Sequence, residues 1–326
     1  MTPIETTLPR PARVRLRIDP AIMVVSVGCI LLLAIGGFIF PPFLSAGYLL
    51  QQLQIASFLG IIAAGATLVI LLGHIDLSVP SAITAVAVLT TTVAGSASPE
   101  VAAFAIPIGL TGGALIGLVN GLGVAIFRLP SMVWTLAVNS MLMGVLVFVT
   151  GGFKPRGVIP PVSATIALER SLGIPNVFLF WLAIMIFVGL LLRRTIYGQY
   201  LFATGCSEKA VFLSGVRVRL VTVLTFVAAG LFTAVGAILL AGYANQAYQG
   251  MGDSYLMPVI TAVVIGGTSI LGGRGSYAGT VVGALFITLL SSILSVLQMP
   301  EALRQIVFGV IILTMLRIRR FDRRSL

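Results

Sequence analysis

Histidine occurs once in this chain of 326 residues, cysteine and tryptophan twice each, and charged side chains make up only 9% of it. Each shortage excludes something. With His74 alone there is no Cys/His cluster at metal-ligand spacing, and no nucleophile or acid–base constellation accompanies it. An ATPase would need a glycine-rich loop followed by Lys and Ser or Thr, and no such sequence occurs. The stretch Gly266 to Gly275 is rich in glycine but lacks the lysine, and apolar runs on both sides mark it as a break within a membrane. Cys29 falls inside the first apolar run and Cys206 in a stretch expected in the cytoplasm, so no disulfide is expected.

What is abundant is apolar: hydrophobic residues are 58% of the chain, a balance that a water-exposed surface does not sustain and lipid requires. Lipid also forces backbone polar groups to pair within the segment, at roughly 20 apolar residues per crossing helix. The runs do not alternate as a barrel would. The expected fold is therefore all-α, a polytopic helical membrane protein with about ten transmembrane helices. The expected spans cover 21 to 40, 54 to 72, 80 to 95, 101 to 127 and 131 to 150, then 176 to 192, 220 to 242, 256 to 271, 277 to 297 and 302 to 316. The short third and eighth runs suit broken or tilted helices. The first run is long enough for a full span, longer than the core of a cleavable signal peptide.

The net charge of +11 is explained by topology rather than by a nucleic-acid partner. Arg10, Arg13, Arg15 and Arg17 precede the first run, and Arg317, Arg319, Arg320, Arg323 and Arg324 follow the last. An even number of spans with both termini in the cytoplasm puts these nine inside together with Arg128, Arg193, Arg194, Lys209, Arg217, Arg219 and Arg274. Lys154, Arg156, Arg170 and Arg304 are left outside. This divides the chain into a cytoplasmic segment 1–20, a transmembrane domain 21–316 that includes a cytoplasmic stretch 193–219, and a cytoplasmic tail 317–326. Anionic lipid headgroups are the expected contacts of the basic ends. Trp134 and Trp181 lie near expected span ends, which fits either an interfacial anchor or plain packing.

Glycines recur every four residues at Gly113, Gly117 and Gly121 and again at Gly275, Gly279 and Gly283, a spacing that gives a smooth helix face for close packing. A weak echo between Leu71-Leu72-Gly73-His74 and Ile270-Leu271-Gly272-Gly273 hints at duplicated halves. Asp76 is an acidic residue closely flanked by apolar spans, open to a proton-relay role but better explained as a cap, with Pro80 in the first turn of the following helix.

Gly73-His74-Ile75-Asp76-Leu77-Ser78 resembles the Gly-Gly-Ile-Asp-Leu-Ser signature of ribose-type ABC sugar permeases. Leu129 to Leu136 resembles that family's Ile-Pro-Pro-Phe-Ile-Val-Thr-Leu segment, with Thr150-Gly151-Gly152 following. Ala262 to Ser269, including Gly266, Gly267, Thr268 and Ser269, resembles its late signature, continued by Gly272-Gly273-Arg274-Gly275. The likeness runs over roughly 50 to 316. Tyr197-Gly198, Ala203-Thr204-Gly205, Ala210 and Leu213-Ser214-Gly215-Val216 resemble the region that faces the ATPase, with Glu208 and Lys209 as polar points of a short docking helix. His74, Val79-Pro80 and Cys206-Ser207 stand where the family has glycine, Val-Gly and Gly-Asn. His74 is expected to be structural rather than a substrate ligand.

The resemblance implies a permease subunit that performs no covalent chemistry, binds no cofactor and moves a monosaccharide, sugar alcohol or related polyol. It implies a second permease subunit, a separate ABC ATPase that uses ATP and Mg, and a periplasmic sugar-binding protein, in the bacterial inner membrane. A branched-chain amino-acid ABC permease is the nearest alternative, and a proton-coupled secondary transporter a more distant one.

Overall fold

The computed structural model describes residues 20–152 and 157–322. The arginine cluster at 10–17, Lys154, Arg156, Arg323 and Arg324 lie outside the described residues.

Long apolar runs without breakers become long helices. In order the chain forms α1 (Pro20–Ile39), α2 (Ala46–Leu71), α3 (Val79–Ala94), α4 (Pro99–Ala103), α5 (Ala105–Ala125), α6 (Ser131–Thr150) and α7 (Pro161–Leu168). It continues with α8 (Asn176–Arg194), α9 (Ile196–Cys206), α10 (Glu208–Leu213), α11 (Val218–Ala244), α12 (Leu256–Ile265), α13 (Tyr277–Val296) and α14 (Glu301–Asp322). Seven of these, α1, α2, α5, α6, α8, α11 and α13, are long and apolar enough to cross a membrane by length and composition; α3 and α12 are shorter apolar helices. The strands among the described residues are two-residue pieces, Arg170–Ser171 against Ile174–Pro175, closed by Leu172 and Gly173 at positive φ.

Two expected spans change shape. The run 101 to 127 is interrupted at Phe104, so that α4 and α5 are separate. The run 256 to 271 stops being helical at Ile265, because Gly267 turns the backbone to φ +105° and ends the helix. Apolar composition carried the expectation six residues too far. The echo between the halves also falls elsewhere than the sequence suggested. Gly73 and His74 donate to the carbonyls of Ile70 and Val69 (2.9 and 3.1 Å), and Gly267 and Thr268 donate to those of Val264 and Val263 (3.1 and 3.2 Å). These are two copies of one left-handed helix ending. Gly73 thus corresponds to Gly267, not to Gly272.

Burial separates an inner layer from an outer one. In the apolar window of α2, 83% of residues are buried, against 11% in α1 and 17% in α6. Helix α2 is therefore the central column, and the outer helices offer their apolar faces to lipid or to another chain. The most extensive crossing is α5 on antiparallel α11, where Gly113, Gly117 and Gly121 meet the backbone at Gly230, Phe226 and Val223. Gly279 and Gly283 of α13 likewise meet Gly266 and Ala262. Gly275 is not part of this ladder, since it precedes α13 and packs in a turn against Thr268.

Trp181 is no interfacial anchor. It is fully buried against Gly60, and its Nε1–H donates to the Tyr277 hydroxyl (2.9 Å), which donates to the Gly60 carbonyl (2.8 Å), tying α8, α13 and α2. Trp134 is partly buried and donates to the Val119 carbonyl at 3.1 Å. Cys29 and Cys206 are both free thiols.

Candidate functional site

Three chain segments meet at one end of the helix bundle: the C-terminus of α2, the C-terminus of α9 and the turn between α12 and α13. Their contact is backbone on backbone. Gly273 N–H donates to the Leu71 carbonyl at 2.9 Å, and the Cys206 thiol donates to the Gly273 carbonyl at 3.5 Å. A Cβ at Gly205 would overlap the Leu71 carbonyl oxygen and lie 2.6 Å from Gly273 N, and one at Gly272 would lie 2.7 Å from Gly73 N. Glycine is the residue that fits at such an approach. The remaining turn residues close on themselves, with Ser269 N–H donating to the Arg274 carbonyl (2.8 Å) and Gly272 N–H to that of Ser269 (3.0 Å).

From this junction α10 projects. Ser207 accepts from Ala210 N–H (3.4 Å) to start it, the Ser214 hydroxyl donates back to the Ala210 carbonyl (3.0 Å), and Gly215 at φ +82° turns the chain away. Val211 anchors the inner face, while Phe212 and Leu213 are 69% and 84% exposed. Glu208, Lys209 and Ala210 are also exposed. The expected docking segment thus becomes two helices, a fixed α9 and a protruding α10, and Ala203 is exposed on the former. Phe212 and Leu213 thus leave an uncovered apolar surface on a short helix.

The Gly-x-Ile-Asp-Leu-Ser segment is extended and joined to α5 and α6. The Asp76 carboxylate accepts from Ser78 N–H (2.8 Å) and from the Ser78 hydroxyl (2.6 Å), an Asx turn feeding Val79 and Pro80 of α3. The expected cap therefore acts two residues ahead, not on the amides of the first helical turn. Asn120 of α5 donates to the Ser78 hydroxyl at 2.7 Å and lies 3.5 Å from both carboxylate oxygens. Thr135 of α6 accepts from Leu77 N–H at 2.9 Å, and Ser131 from Ile75 N–H at 3.3 Å. Asn120 and Asn139, whose side chain accepts from Ser81 N–H, were not legible as partners of this segment. An asparagine inside an apolar span is costly, and that cost was the available signal.

His74 faces a cavity of about 830 Å³ that also reaches Arg128, Ser131, Glu208, Lys209 and Arg219. Its ring lies 6.1 Å from that of Phe226. Burial pushes the imidazole below its ordinary value, and the nearby Glu208 carboxylate opposes this only in part. The structure thus brings Gly73, Gly205, Gly272, Gly273 and the start of α10 together. Leu213, Ser214 and Gly215 lie at the far end of α10, and Gly266 belongs to the α12–α13 crossing. No group of three or more His, Cys, Asp or Glu among the described residues is arranged to hold a metal ion.

Residues 48–316 match the family model described as branched-chain amino acid transport system / permease component. The chain is 34% identical over 297 residues to a ribose import permease protein of Haemophilus influenzae, covering 88% of this chain and 89% of the relative. It is 32% identical over 288 residues to the ribose import permease protein of Bacillus subtilis, covering 88% and 89%. An autoinducer 2 import system permease protein of Shigella flexneri is 31% identical over 289 residues, with 88% and 83% covered. No solved structure matches. A family match over residues 48–316 and relatives of this identity over 88% of the chain mean that it belongs to this permease family and to its ribose-type ABC importer branch.

Proposed function

We propose that this chain is the membrane-crossing subunit of an ATP-driven importer for a monosaccharide, sugar alcohol or related polyol. It works in the bacterial inner membrane with a second permease chain, a separate ATPase and a periplasmic sugar-binding protein. The observation that carries the reading is the protruding α10, with Phe212 and Leu213 outward, rooted beside a glycine junction that touches both α2 and the α12–α13 turn. A push on α10 is transmitted through Gly205 and Cys206 to Leu71 and Gly273 with no side chain longer than the Cys206 thiol between them. The Asx turn at Asp76 then links the same region to α5 and α6. ATP and Mg act in the partner, and this chain supplies pathway and linkage.

The ribose import permeases among its relatives favour a polyhydroxylated cargo over a branched-chain amino acid. Co-expression with the ATPase tests the linkage. A cysteine replacing Lys209 is expected to crosslink to the ATPase, and scrambling 206–213 is expected to uncouple ATP hydrolysis from uptake while insertion is retained. Coupled uptake that survives scrambling, with no crosslink from any position in the stretch, places the transmission surface elsewhere.

A further inference from the structure

A second polar site lies at the opposite end of the bundle. Between α2, α12, α13 and α14 is a cavity of about 280 Å³, close to the roughly 300 Å³ at which small-molecule pockets begin. Gln52, Tyr255, Thr288, Ser295, Glu301 and Arg304 are among the residues that line it. Gln52 is 19 residues before Leu71 on α2, which at 1.5 Å per residue puts it about 28 Å from the glycine junction.

The state of these polar groups distinguishes the cavity from ordinary packing. Hydroxyls on the helices of this chain regularly donate to the carbonyl four residues back, as Thr67, Thr91, Thr225 and Thr261 do. Ser291, one turn from Thr288, does the same to Ile287. Thr288 is only 5% exposed yet makes no such bond among the described residues. Gln52, 7% exposed, has a side-chain oxygen with no hydrogen-bond partner. A buried oxygen without a partner, such as that of Gln52, is costly, and the Thr288 hydroxyl is left open to water or a ligand in the cavity. The charges at the rim do not select an ion, because Glu301 and Arg304 pair with each other at 3.7 Å. What the interior offers is a hydroxyl, an amide and a phenol beside apolar walls from α2, α12 and α14.

We propose that this cavity is a binding site for a neutral polyhydroxylated molecule of monosaccharide or sugar-alcohol size, held within a single permease chain. Hydroxyls of such a ligand exchange hydrogen bonds with the Gln52 amide, Thr288 and Tyr255, while its C–H face meets the apolar wall. The choice of a sugar class rests on the import reading above; the site itself rests on the unpartnered groups. Because α14 supplies one wall together with Glu301 and Arg304, occupancy also ties that helix to α2 and α13.

The test uses the full chain assembled with its partners in proteoliposomes, with Ser295→Cys as an accessible reporter in a Cys29→Ser, Cys206→Ser background. A membrane-impermeant maleimide is expected to label it, and D-ribose, D-xylose or ribitol to slow labelling about tenfold at roughly ten times the ligand Kd. Protection is expected to vanish in Thr288→Val and Gln52→Leu and to persist in Thr288→Ser, which controls for folding. Labelling that none of these polyols slows, in an importer that still takes up a sugar, removes this site and leaves the import reading standing. Protection by L-leucine alone, with leucine uptake, removes both. Protection that survives Thr288→Val and Gln52→Leu places the ligand elsewhere.

Discussion

Gly117 and Gly279 lie where two helices approach closely enough to exclude a methyl group. A Cβ at either would overlap a backbone carbonyl, that of Phe226 or of Gly266, so the neighbouring helix must move as a whole. The four-residue spacing in the sequence points to tolerance of Ala over larger residues; the geometry is stricter and admits no side chain. Gly117→Ala and Gly279→Ala are each expected to cost at least the ~1–3 kcal/mol of an overpacked core, read as a lower thermal midpoint in detergent. Gly144→Ala, with nothing within 4 Å of the added carbon, is expected to be neutral or stabilising by about 0.5–1 kcal/mol. Equal midpoints for all three variants would contradict this packing. His74 gives a pH signature of definite sign. Its imidazole binds a proton less readily when folded, so the unfolded chain takes up more protons as pH falls through about 6.5, and stability drops there. Above that window it contributes no slope. His74→Gln is expected to flatten the loss of stability below about pH 6.5, by comparison of thermal midpoints, whereas an unchanged slope would assign the acid sensitivity to other groups.

At the scale of elements, how well the sequence is read depends on whether apolar composition and backbone geometry agree. They agree over α6, where the run 131 to 150 becomes Ser131–Thr150, because Pro130 opens it and Gly151 at φ +63° closes it. They disagree at the start of α2, which begins eight residues before the expected 54. Gln51, Gln52 and Gln54 depress hydropathy there, yet Gln54 is turned inward to the Ala167 carbonyl and Gln52 to the cavity. Polar residues on a central helix look like loop until their partners are known, and Ala167 is 113 residues away. Helix α7 was hidden in a stretch rich in Pro and Gly, although Pro160 and Pro161 sit at its start, where proline is favoured. The glycine junction was legible only as separate motifs, since nothing along the chain says that Gly205 touches Leu71. Its rigidity predicts an effect on coupling rather than on folding alone. Gly205→Ala is expected to reduce transport-coupled ATP hydrolysis at least tenfold even in protein that inserts and purifies normally. Leu213→Ala, at the exposed tip of α10, is expected to weaken ATPase association with no change in thermal midpoint. If Gly205→Ala lowers only the yield and leaves the specific activity of the purified complex intact, the junction is structural and not a linkage.

For the whole molecule, the decisive property is sidedness. The glycine junction, α10 and the basic residues Arg193, Arg194, Arg217, Arg219 and Arg274 all lie in connections or helix ends on one side of the bundle, while Arg170, Arg304 and the hydroxyl-lined cavity belong to the other. Positive charge on short connections marks the cytoplasmic face, and on that ground we propose that α10 faces the compartment that holds ATP and the cavity the outside. The same assignment sends the start of α1 and the end of α14 to the cytoplasm, keeping the nine terminal arginines from crossing the bilayer. The proposed topology would accommodate charge, ATP supply and an outward polyol site together. It is checked by placing single cysteines at Lys209 and at Leu172, whose side chain stands fully exposed in the hairpin turn, in a Cys29→Ser, Cys206→Ser background. In intact spheroplasts an impermeant maleimide is expected to label position 172 and to leave 209 unlabelled until the membrane is opened. A tag on either terminus is expected to behave like 209. Labelling of 209 from outside would invert the molecule: α10 would then face away from any ATPase, and the shared basis of both functional readings would fail.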